Sequence, residues 1–239
     1  MAGLVSSVIG KGFEVLFRGI KHVRHHRPIH SRGLRLDGEV VVHAHGFSSG
    51  VSWVDQPGRN AVTARISRSV GTPDGLPDIV GLALRIHHDD GNASGRAPST
   101  FSDVLLSSTG WAFPGRFVLV PYLRVSAAPL TTMMPYRGDD GPVLLGARTL
   151  SPTGLPASLR GFPEALGPDP WLLDLYFASP RGGWKRFGTL TLRLSPEAEE
   201  RDLRFDAVLH PLAGAQTYEW ARKVREPSYA LSRRAPGDS

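Results

Sequence analysis

Thr189-Leu190-Thr191-Leu192-Arg193-Leu194 alternates polar and apolar side chains without a break. A period of two is the mark of an extended strand with one wet face and one buried face. The same punctuation recurs where Leu203, Phe205 and Val208 sit among polar neighbours. Working outward, short runs rich in β-branched, aromatic and leucine side chains, bounded by Gly, Pro or Asp, cover 39–45, 60–67, 79–87, 102–108, 143–149, 170–178, 184–194 and 202–209. About eight strands with few helices between them predict a mainly β, largely antiparallel domain. Strands in that number close, or nearly close, into a barrel that exposes no edges.

Composition agrees with that fold class. With 239 residues, of which 41% are hydrophobic and 21% charged, the chain is long enough to bury a sizeable core. Its 27 glycines and 20 prolines exceed what a helix bundle tolerates and suit many short strands joined by turns. Cysteine is absent, which excludes a disulfide scaffold and any thiolate ligand. No apolar run approaches the roughly 18–20 residues of a membrane-spanning helix. The excess of 28 Lys and Arg over 22 Asp and Glu gives a net charge of +6 and suits an anionic partner: nucleic acid, lipid head groups or the carboxylates of a cofactor. No aromatic interleaving or known module supports specific nucleic-acid binding.

Five stretches flank or interrupt the strands. Leu4, Val5, Val8, Ile9, Phe13, Leu16, Phe17 and Ile20 recur at helical spacing, predicting an amphipathic helix over 3–20 that packs on the body or makes peripheral membrane contact. Lys11, Glu14 and Arg18 interrupt its apolar face, so it does not read as a secretory signal, and a cytoplasmic address is expected. Arg18, Lys21, Arg24, Arg27, Arg32 and Arg35, with His22, His25, His26 and His30 among them, make a solvated basic arm. No acidic or cysteine ligand accompanies these histidines to hold a metal. Residues 89–100 and 151–169 have loop composition, and 216–234 reads as helical with an interruption at Pro227. The expected organisation is one domain: helix and arm over 1–37, barrel over 38–210, helical tail over 211–239. Homo-oligomerisation is left open.

The motifs then narrow the chemistry. Val40-Val41-Val42-His43-Ala44-His45-Gly46 sets a histidine at the end of an apolar strand beside a turn-making glycine. Arg65-Ile66-Ser67 puts Arg65 and Ser67 on one strand face. Gly81-Leu82-Ala83-Leu84-Arg85, Asp103-Val104-Leu105-Leu106 and Arg225-Glu226-Pro227-Ser228-Tyr229 follow. In that order the five blocks resemble the haem-dependent catalase family. Its pattern runs from a Val-Val-His-Ala-x-Gly strand with the distal histidine, through an Arg-x-Ser strand and a Gly-x-Ala-x-(Lys or Arg) segment, to an Asp-hydrophobic strand and an Arg-x-x-x-Tyr with the proximal tyrosine. The resemblance spans roughly 38–110 and 219–234.

What the resemblance implies is a haem b cofactor ligated by Tyr229, with Arg225 stabilising the phenolate. Val42 and Arg65 would lie against the haem. His43 would move the peroxide proton, Ser67 would orient it, and Ser107 would stand where the family has a distal asparagine. His45 is the alternative acid and base. A tyrosine phenol, ordinarily near pKa 10, binds iron as an anion only with such cationic support. An imidazole suits proton transfer from the inner to the departing peroxide oxygen. The family also carries an arginine three places before the distal histidine, where this chain has Val40. The expected activity is peroxidase or catalase-like, on hydrogen peroxide with a small-molecule reductant or on an organic, including fatty-acid, hydroperoxide. One alternative is a catalase-like scaffold without turnover that binds haem or an apolar ligand. Another is a serine hydrolase using Gly46-Phe47-Ser48-Ser49-Gly50, whose G-x-S-x-G elbow needs a helix directly after the serine.

Overall fold

The computed structural model describes residues 33–88, 101–196 and 203–221. The predicted helix over 3–20, the arm histidines, the loop at 89–100, and Arg225 and Tyr229 lie outside the described residues.

Ten strands form: β1 (Gly33–Val42), β2 (Gly58–Arg68), β3 (Val80–His87), β4 (Phe101–Ser108), β5 (Leu130–Thr131), β6 (Tyr136–Gly138), β7 (Gly141–Ser151), β8 (Trp171–Ala178), β9 (Lys185–Leu194) and β10 (Gln216–Thr217). Every pairing is antiparallel, and because β9 pairs with β1 and β7 with β8, the order β1-β2-β3-β4-β5-β7-β8-β9 closes on itself. The fold is therefore a closed eight-stranded antiparallel barrel, with β6 and β10 continuing the sheet beside β7.

Period-two patterning explains which side chains go inside. Leu36, Val40 and Val42 of β1, Val62, Ala64 and Ile66 of β2, and Leu190 and Leu192 of β9 point into the barrel and join one core with Trp171, Leu173 and Phe187. A cavity of about 20 Å³ lies between Trp53, Leu84, Val104, Leu145 and Phe187, room for about a single water. Small barrels fill their interior with side chains, as the apolar cluster does here.

Several expectations change, among them the start of the helical tail expected over 216–234, where Gln216–Thr217 is strand β10. β1 starts at Gly33 rather than Glu39, because Leu34 and Leu36 already continue the alternation that 40–42 made conspicuous. Residues 203–210 are not the eighth strand. The turn over 207–210 is held by the Asp206 carboxylate, which accepts the N–H groups of Val208 and Leu209 at 3.0 and 3.1 Å. This irregular strap lies along β4, whose Asp103 N–H donates to the His210 carbonyl at 2.8 Å. The eighth barrel strand is the two-residue β5. In the expected loop at 151–169, Phe162–Leu166 forms a short helix, α2, that buries Phe162 and Leu166; α1 is the single turn Ser52–Asp55. Among the described residues no helix is long and apolar enough to cross a membrane.

Candidate functional site

Antiparallel register fixes which outward-facing residues meet. Ser67 on β2 lies opposite Gly33 on one side and Gly81 of β3 on the other; Gly81 in turn lies opposite Ser107 of β4. Strands are spaced about 4.8 Å apart, so Ser67 and Ser107 stand roughly 10 Å apart across a glycine. The row continues through Thr131 of β5 to Gly146 of β7. One pleat further along, Arg35 lies opposite Arg65, and Arg65 opposite Ala83. The result is a strip of small residues, Gly33, Ser67, Gly81, Ala83 and Ser107, edged by two arginines. Arg35 was not singled out from the motifs, although the odd-numbered positions of β1 place it on the outer face.

Hydrogen bonds stiffen the strip's margin. Ser108, the next residue after Ser107, accepts the Val80 N–H at 3.0 Å and donates to the Val120 carbonyl at 2.8 Å. Thr131 is fully buried, shares a 3.0 Å hydrogen bond with Thr109 and donates to the Arg116 carbonyl at 3.1 Å. Beyond it, the stacked rings of Trp111 and Trp184, 4.3 Å apart, cover Gly146 so closely that a Cβ there would press on both. Arg116 sits over Trp184 at 4.7 Å, and burial lowers its guanidinium pKa. The strip, in which Ser67 and Gly81 are buried, is thus bounded on its β7 side.

Other expected site residues fall elsewhere. His43 follows the opposite end of β1, ten residues from Gly33, a separation of about 33 Å at the rise of a strand. It is exposed, its Nε2 is 3.1 Å from the Thr189 hydroxyl, and it is not brought to Arg65, Ser67 or Ser107. Val42 is 3% exposed and packs inside the barrel, so it does not face the outer wall. His45 donates from Nε2 to the Val54 carbonyl at 2.9 Å, beside His43 and equally remote from the strip. The four described motif blocks lie on strands or at a strand's end, but a strand's direction decides which of its ends meets a neighbour's motif. The hydrolase constellation does not assemble: Ser48 donates to Asp140 at 2.8 Å with no imidazole between them, and α1 begins only at Ser52 and lasts four residues. Among the described residues no group of three His, Asp or Glu side chains is placed to hold a metal ion.

No family model matches the chain, and no curated protein matches it. A solved structure described as that of a bacterial catalase is similar in fold, with a TM-score of 0.56 and 12% sequence identity over 94% of this chain and 63% of the other. The chain therefore spans less than two thirds of that protein's length, and at this identity the likeness is one of fold: a catalase-like barrel.

Proposed function

We propose that this chain is a haem-dependent, peroxide-processing oxidoreductase. The observation that carries the reading is the convergence of Arg65, Ser67 and Ser107, from three separate strands, on one outer strip of a barrel whose interior is full. Residues of this kind suit a flat, anionic macrocycle. Gly33, Gly81 and Ala83 leave a wall without protruding side chains, while Arg35, which also pairs with Asp37 at 3.3 Å, and Arg65 lie opposite one another on neighbouring strands and are cations of the kind that suit a propionate. Tyr229 would hold the iron as phenolate, with Arg225 stabilising the anion.

Haem b, when bound, supplies the redox chemistry of peroxide cleavage. The chain's own residues would position the substrate: the Ser67 and Ser107 hydroxyls can donate to or accept from peroxide oxygens. A serine hydroxyl reaches less far than the asparagine amide found in the family, which favours peroxidase chemistry or an organic hydroperoxide over fast dismutation. The same serine favours a second reading, a haem-binding scaffold without turnover.

The test is spectroscopic. Protein from haem-supplemented cells is expected to show a ferric Soret band with phenolate charge-transfer features that Tyr229→Phe removes. A colourless protein that cannot be reconstituted with haemin would end the proposal. Peroxide turnover no faster than that of free haemin would leave the scaffold reading in its place.

A further inference from the structure

We infer that the polar cavity on the face of β6 and β10 turned away from the core binds a short peptide with free ends, its carboxylate on Arg137 and its ammonium on Asp139. The cavity, of about 470 Å³, is lined by Arg137, Gly138, Asp139, Gly214, Ala215 and Gln216. None of these belongs to the strip of Ser67 and Ser107. Strand parity explains the lining. Tyr136 turns into the core, so its neighbour Arg137 turns out, and the register sets Gln216 of β10 directly opposite Arg137. Opposed residues of antiparallel strands share a face, their side chains starting about 5 Å apart. Asp139 opens the turn between β6 and β7, two positions after Arg137.

The charges point to a ligand. Among the described residues neither the Arg137 guanidinium nor the Asp139 carboxylate has a hydrogen bond or an ion pair, although they are of opposite sign and border one cavity. The Gln216 amide is equally unengaged among them. Asp140, the next carboxylate, accepts the Ser48 hydroxyl at 2.8 Å and does not line the cavity. The backbone beneath is fixed. Asp139 N–H donates to the Gly50 carbonyl at 2.8 Å, a Cβ on Gly138 would press on that same carbonyl, and one on Gly214 would overlap Ser52.

Spacing then selects the ligand. Two residues of extended strand span about 6.6 Å, so the Arg137 and Asp139 side chains start about that far apart, with only Gly138 between them. A free amino acid holds its two charges within one residue, about 3.5 Å, whereas the ends of an extended dipeptide lie about 7 Å apart. A guanidinium takes a carboxylate through two parallel hydrogen bonds, and the Asp139 carboxylate accepts from the ammonium. Gln216, which both donates and accepts, meets the peptide unit beside the carboxylate.

The experiment titrates alanylalanine into the full-length isotope-labelled protein and follows the amide resonances of Gly138 and Gly214. Alanylalanine is expected to shift both. Its N-acetyl and C-terminal amide forms, and free alanine, should each bind about tenfold more weakly or worse, the loss of one charge-assisted contact. Arg137→Gln should weaken alanylalanine binding by about tenfold and abolish its preference over the amide, while Asp139→Asn abolishes the preference over the acetylated form. Both side chains are exposed, so an unchanged Tm is expected for each variant, and the capped peptides make the same test on the wild type. No shift at either glycine, equal binding of free and capped peptides, alanine binding as tightly as alanylalanine, or end-group preferences that survive the substitutions each overturn the inference.

Discussion

Asp103 is completely buried, and Arg85 grips it through two hydrogen bonds of 2.9 Å, one to each carboxylate oxygen. The guanidinium lies between the rings of Phe101 at 4.1 Å and Phe205 at 5.2 Å, and also donates to the Arg204 carbonyl. Asp103 in turn accepts the Asp206 N–H at 2.7 Å. One ion pair thus ties β3, β4 and the strap together where the short β5 leaves the edge of β4 uncovered.

Removing one partner strands the other charge in a desolvated place. Asp103→Asn is expected to cost about 3 kcal/mol, and more than a surface pair because the carboxylate has no access to water. For a chain of this size that corresponds to a fall of roughly 6–12 °C in Tm, read by circular dichroism. The double variant Arg85→Met, Asp103→Leu should recover a large part of the loss, since a packed apolar pair carries no unpaired charge. A Tm for Asp103→Asn within 2 °C of wild type, on the order of measurement scatter, contradicts this account.

Much of this architecture was legible from patterning. Seven of the eight expected strands form because their alternation matches the inside and outside of a barrel whose interior admits only apolar side chains. What misled was composition without continuity. Leu203, Phe205 and Val208 imitate a strand, but Asp206 caps its own turn, and Pro211 and Gly214 follow. β5 has only two residues, too few to carry a period. Parity alone puts Arg65 and Ser67 on one face of β2, and register sets Ser67 and Ser107 on either side of Gly81. The distance of His43 from Ser67 was not legible, because parity says nothing about which end of a strand meets which; the register sets Gly33, at the start of β1, opposite Ser67.

Close approach of backbones is the second testable feature. Gly38 lies in the middle of β1, between β2 and β9, and an added Cβ would overlap the Thr191 carbonyl on β9. Backbone cannot yield as a flexible side-chain tip does, so Gly38→Ala must push β9 away from β1 and disturb the closure of the barrel. The expected cost is about 2–3 kcal/mol, at the upper part of the range for overpacking. Urea unfolding measures it as a lower midpoint with an unchanged slope. Gly58→Ala is the control: nothing lies within 4 Å of a Cβ at that position, so it should leave the midpoint nearly unchanged. Equal midpoints for the two variants would show that the β1–β9 contact is looser than described.

Acid should weaken the fold through His88. Burial, reinforced by the neighbouring His87, lowers the His88 pKa below its ordinary 6.5. The unfolded chain therefore takes up a proton near pH 6.5 that the folded chain resists, and stability falls as the pH drops through that region. The loss levels off once the pH passes below the folded pKa, because both states are then protonated. His88 also meets the Ser102 hydroxyl, which donates to the Pro211 carbonyl at 2.9 Å, so a charge at this position would be felt where the strap joins β4. Thermal melts between pH 7.5 and 5 should show a smaller fall for His88→Gln than for wild type, with the two curves converging toward low pH if glutamine keeps the Ser102 contact. Parallel curves across that range would place the acid sensitivity on another group.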